Sequence, residues 1–172
     1  MNQHLTRLAS VIEECNQHIK VIISAYPELQ RIIPLDEKTF EKSDNNEIRL
    51  LDQFIYRFSL LQDAIGKKLF TALLNSLEHD VNSMPFIDVL NKIEALGLIT
   101  SKEEWIYLVK LREEFSHEFS SNMKENAETI NTLFEKFHLV YNTFTKIKDY
   151  SLNKFEWFKG NVSRFETVQF PV

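Results

Sequence analysis

An all-α fold is predicted by three features of this chain. It holds only three glycines and four prolines in 172 residues, too few for a fold that turns often. Leu, Glu, Lys, Phe, Ile and Asn dominate its composition, and apolar residues recur at steps of three and four over long stretches, the period of an amphipathic helix. The length suits one domain with a substantial core and is short for two, so residues 1–172 are read as a single up-and-down bundle of four main helices plus short extra pieces.

The first helix is expected from Asn2 to Ala25, carried by Leu5, Leu8, Val11, Ile12, Cys15, Ile19, Ile22 and Ile23. Pro27 and Pro34 bracket a short segment, and Asp36 to Asn46, charged and without periodicity, reads as a surface loop. A long helix follows from Asn46 to His79, with Leu51, Phe54, Phe58, Leu61, Ile65, Leu69, Leu73 and Leu77 toward the core. A second stripe on it, Asp52, Tyr56, Ser59, Asp63, Gly66 and Phe70, is small or polar with aromatic members. Gly66 costs about 1 kcal/mol against alanine in a helix, which fits either close approach of another helix or ligand, or a tolerated imperfection. Arg57 and Asp63 are expected to pair.

Pro85 suits the first turn of a short helix capped by Ser83 and ended by Gly97. The next helix, Ser101 to Phe119, has a capping box of Thr100 and Glu103. Its stripe is Trp105, Leu108, Phe115 and Phe119, with Arg112 where a core residue belongs. After a polar break at Ser120 to Asn122, a helix from Met123 to Tyr150 presents Ile130, Leu133, Phe134, Phe137, Val140, Tyr141, Phe144 and Ile147. The tail is expected to add a helical turn around Phe155 to Phe158 and to end extended over residues 161–172.

Composition also narrows function. The formal charge of −5 argues against an extended nucleic-acid surface while leaving room for a small RNA cleft. A lone Cys15 excludes an internal disulfide framework and a cysteine zinc cluster, and its apolar neighbours make it a small core hydrophobe rather than a reactive thiol. With no signal-like start and no apolar run long enough to span a bilayer, a cytoplasmic protein with no membrane partner is expected. Fourteen phenylalanines exceed what a small bundle needs and point to a second subunit. There is no glycine-rich phosphate loop, no His-Glu-x-x-His and no Gly-x-Ser-x-Gly; His4, His18, His79 and His138 stand apart as surface or boundary residues, so neither metal nor cofactor is expected.

What remains is the segment Leu96 to Phe119, LGLITSKEEWIYLVKLREEFSHEF, in which Arg112 precedes His117 by five positions. Together with Leu51 to Leu74 (LDQFIYRFSLLQDAIGKKLFTALL) it resembles the HEPN superfamily of all-helical proteins, in particular the kind paired with minimal nucleotidyltransferases in toxin–antitoxin modules. The hallmark is an arginine, four to six residues and a histidine on a late helix; Tyr56, Arg57, Gln62, Asp63 and Gly66 on the long helix add to the likeness. The resemblance implies a metal-independent endoribonuclease acting as a homodimer on RNA, with a cognate minimal nucleotidyltransferase as antitoxin. It assigns catalysis to Arg112 and His117.

The chemistry suits those residue types. A histidine of reference pKa about 6.5 can move the protons when a 2'-hydroxyl attacks phosphorus, and a guanidinium fork can stabilise the charge that develops there. Glu113, one turn before His117, can favour the protonated imidazole. Five residues turn about 140° on a straight helix, so the pair would converge in a cleft between two subunits. Two departures stand out: Glu113 occupies a position often held by a small polar residue, and Phe119 replaces a tyrosine that in some members receives AMP, a modification phenylalanine cannot accept. The residues also allow a non-catalytic helical protein that binds a nucleotidyltransferase or nucleotide, and a plain bundle in which Arg112 pairs with an interior carboxylate such as Asp63.

Overall fold

The two most sustained apolar stripes frame the bundle as α1 (Gln3–Ile32) and α7 (Met123–Lys154). The computed structural model describes residues 2–117 and 122–171, with 116 and 117 placed by backbone alone; among them there is no strand, and the fold is an all-α bundle. None of the described helices is long and apolar enough to cross a membrane.

Helix α1 starts where the Asn2 side chain accepts the His4 N–H at 3.0 Å. It does not stop at Ala25 but continues through Pro27. Proline removes one helical hydrogen bond and costs about 3 kcal/mol. Against that, the continuation buries Ala25, Tyr26 and Leu29, and the Tyr26 ring stacks on Phe134 of α7 at 4.8 Å. Packing outweighs the local preference.

The segment read as a loop is also ordered. Asp36 accepts the Thr39 N–H at 2.7 Å while the Thr39 hydroxyl accepts the Asp36 N–H at 2.8 Å, a reciprocal cap for the short α2 (Glu37–Glu41). Phe40 is its only apolar anchor and is buried. The preceding Leu35 backbone is clamped by the Asn131 amide of α7 through two 2.7 Å hydrogen bonds.

A second reciprocal cap, Asp44 with Glu47, opens α3 (Asn45–Asp63). The long helix is interrupted by a π-helical turn (Ala64–Leu69) before resuming as α4 (Phe70–Ser76). Then come α5 (Phe86–Ala95) and α6 (Lys102–His117). Ser83 does not cap α5; Pro85 precedes it, and the Pro85 carbonyl accepts the Asp88 and Val89 N–H groups. Helix α1 packs on α3, the π turn and α4, while α7 crosses α1, α3 and α6.

The tail forms more than the expected turn. After α8 (Glu156–Lys159) and a 3-10 turn (Val162–Phe165), the chain returns to the seam between α1 and α7. Arg164 makes a two-pronged ion pair with Glu13, Thr167 donates to Asn16 at 2.8 Å, and Lys148 donates to Thr167 at 2.7 Å. The Tyr141 hydroxyl donates to the Val168 carbonyl at 3.0 Å, and the Phe170 ring closes on Tyr26, Phe137 and Tyr141 at 5.2 to 5.7 Å. Because Phe170 is half-buried, Phe170→Ala is expected to cost about 2 kcal/mol, below the range for a fully buried ring, measured as a shift in the urea midpoint at constant slope.

Candidate functional site

Helix α6 is aimed by its first residues. Gly97 lies in the left-handed region at φ +71 and closes α5, with its N–H bonded to the Glu94 carbonyl and the Leu98 N–H to the Ile93 carbonyl. The chain then reverses into α6, whose first-turn donors are taken by Ser101 and by a residue of α5. Ser101 Oγ accepts the Glu104 N–H at 3.2 Å, and the Glu94 carboxylate accepts the Lys102 N–H at 2.8 Å. The cap is therefore Ser101 rather than Thr100, because one first-turn donor has a partner across the hairpin.

Trp105, Leu108, Arg112 and Phe115 all face inward and are buried. The Arg112 side chain is 10% exposed, and its Nη2 lies 3.1 Å from Asp63 Oδ1, at the last residue of α3. Asp63 is 34% exposed and also pairs with Lys67 at 3.2 Å, so the ion pair sits at the margin of the core with one side open to water. Glu113 is exposed and leans back toward Arg112, its carboxylate 3.9 Å from Nη2. His117 is the last residue of α6, its position given by backbone alone, and Phe119 lies outside the described residues.

Asp63 precedes the π turn, in which the Phe70 N–H reaches the Ile65 carbonyl five residues back. Trp105 lies across that turn, with its ring 5.1 Å from Phe70 and its Nε1 3.5 Å from the point where a Cβ on Gly66 would stand. Gly66 does permit close approach of a neighbouring helix. The space is not tight, however, since 3.5 Å is ordinary contact. The Trp105 indole N–H and both amide atoms of Gln62 are buried without a hydrogen-bond partner among the described residues. Such polar atoms cost about 1–3 kcal/mol each and mark this seam as polar where bundle cores are apolar.

Arg57 does not pair with Asp63. It turns to α1, with Nη1 3.2 Å from His18 Nδ1 and its guanidinium carbon 5.9 Å from the centre of the Tyr56 ring. His18, expected at the surface or boundary, lies just inside the buried set, on the α1 stripe between Cys15 and Ile22. Beside it, Lys68 of the π turn donates to Glu14 at 2.6 Å. Burial of His18, and then the Arg57 charge, hold its imidazole below the usual value. Burial pushes the Cys15 thiol far up, away from nucleophilic use.

His4 and His79 both line one surface depression, of about 210 Å³, with Glu78 and Asp80. Among the described residues, no group of three or more His, Cys, Asp or Glu is arranged to hold a metal ion. No protein-family model matches the chain, and no curated protein or solved structure matches it significantly.

Two stability measurements probe this geometry. Since the His18 pKa is lower in the folded state than in the unfolded chain, unfolding takes up a proton; the contribution is complete above the ordinary imidazole value and is lost as pH falls through it. Unfolding free energy should fall between pH about 7 and about 5.5, and less steeply in His18→Gln. Gly66→Ala should leave stability unchanged or raise it by up to about 1 kcal/mol; a clear loss in chemical denaturation would mean that Trp105 requires the bare backbone.

Proposed function

We propose that this chain is a HEPN-type toxin of a toxin–antitoxin module, a metal-independent endoribonuclease using Arg112 and His117 in a cleft shared by two subunits. The observation that supports the reading is the 3.1 Å ion pair between Arg112 and Asp63. It joins the two stretches on which the family resemblance rests, Leu51 to Leu74 and Leu96 to Phe119, and sets a guanidinium at the margin of the core, about 7.5 Å along the helix axis from His117.

The chemistry follows from these residue types. The ribose 2'-hydroxyl gives up its proton to an imidazole as its oxygen bonds to phosphorus. The bond to the leaving 5'-oxygen breaks, and that oxygen receives a proton from an imidazolium. Arg112 stabilises the added charge on the phosphoryl oxygens. Asp63 acts as a positioning residue that fixes the guanidinium, and Glu113 favours the charged imidazole. Five positions correspond to about 140° around α6, so this reading takes a second subunit to complete the constellation. A cognate minimal nucleotidyltransferase is the partner that this reading assigns as antitoxin.

A second reading is favoured by the burial of Arg112: a non-catalytic interaction protein in which the Arg112–Asp63 pair is a structural clamp. The two readings separate on His117. For the nuclease, purified wild-type protein should cleave RNA in the presence of a chelator. His117→Ala should abolish cleavage with little change in melting temperature. Arg112→Ala should lose cleavage as well as about 1–3 kcal/mol of stability, less than for a fully buried pair because Asp63 keeps water and Lys67. Cleavage that persists in His117→Ala sinks the nuclease; a silent His117→Ala beside a destabilised Arg112→Ala, with no cleavage by wild type, identifies the clamp.

A further inference from the structure

We propose that Tyr56, about two helical turns from the Arg112–Asp63 pair on the same stripe of α3, is a base-stacking platform that seats an unpaired nucleobase of single-stranded RNA. This deepens the ribonuclease reading and rests on it. Among the described residues, Tyr56 is the most open of the large apolar ones on the surface, at 60% exposed. It lies on the α3 stripe that runs through Ser59 to Asp63, two turns and about 10 Å along the axis from the carboxylate that holds Arg112. The guanidinium of Arg57, itself anchored on His18, stands 5.9 Å from the ring centre and places positive charge beside it.

An exposed aromatic ring backed by a guanidinium is the surface on which unpaired bases stack, and the interaction tolerates any base because each has a π face. A base locked in a duplex cannot reach it. Charge bears on the same choice. The chain is net negative, and Asp52 and Asp63 flank Tyr56 on the stripe, so phosphate attraction is poor and stacking has to carry the affinity. Binding should therefore weaken only shallowly with salt. Tyr107 supplies a control: it is 51% exposed on α6 but lies five residues from Arg112, about 140° around that helix.

The test measures binding of a short fluorescent single-stranded RNA, and of the same strand annealed to its complement, to full-length protein carrying His117→Ala so that substrate survives. Adding Tyr56→Ala should weaken single-strand binding about tenfold. Tyr56→Trp should preserve it, Tyr107→Ala should leave it unchanged, and the duplex should bind more weakly than the single strand. In the cleaving protein, Tyr56→Ala should raise KM by a similar factor with kcat little changed. Equal binding by Tyr56→Ala, or preference for the duplex, overturns the platform while leaving wild-type cleavage to stand. A wild type that cleaves nothing removes the ribonuclease reading; the platform then stands only as a binding site if single-strand binding still depends on Tyr56, and otherwise falls with it.

Discussion

A guanidinium nine-tenths removed from water needs an anion within reach, and that requirement ties α6 to the end of α3 at Asp63. Besides its packing on α7 and α5, the helix makes two contacts on the long helix that runs from α3 through the π turn to α4: Arg112 on Asp63, and Trp105 on Phe70 and Gly66. Because the later residue of α6 meets the earlier residue of the long helix, the two run in opposite directions. Neither contact is a plain apolar knob. The ion pair escapes the full penalty of a buried charge because Asp63 remains one-third open to water and has a second cation in Lys67.

The π turn lies between Asp63 and Phe70, the residues that α6 touches, and its signature was present in the residue pattern. From Leu61 the core stripe advances by four residues at every step, through Ile65, Leu69 and Leu73 to Leu77. On an ordinary helix each such step drifts by about 40°, and four would carry the stripe out of the core. Widening the turn at Ala64–Leu69 absorbs the drift, so Ile65, Leu69 and Leu73 remain fully buried. The apolar periodicity is legible in the sequence, and the change of helix type at Ala64–Leu69 reconciles it with a straight path.

Helix identities were readable because their stripes are long, and the boundaries that failed did so for tertiary reasons. Pro27 did not end α1 because Tyr26 and Leu29 have partners waiting, and the polar run after Pro34 folds because Phe40 and the Asn131 clamp hold it. At the site, Arg112 announced itself by breaking a stripe, and Asp63 was among its possible partners. Pairing Asp63 with Arg57 was an error of geometry: six residues place the two about 120° apart around the helix, so Arg57 faces α1 and finds His18. Two unpartnered polar groups at the seam, the Gln62 amide and the Trp105 indole, could not be recognised before the packing was known.

The returning tail carries a consequence for the order of folding. Its ties join residues 151 positions apart, Arg164 to Glu13 and Thr167 to Asn16. The seam between α1 and α7 is therefore covered only when residues 164–170 are in place. Until then Tyr26, Phe134, Phe137 and Tyr141 form an unsealed aromatic strip, the sort of surface that chaperones hold and that nascent neighbours adhere to.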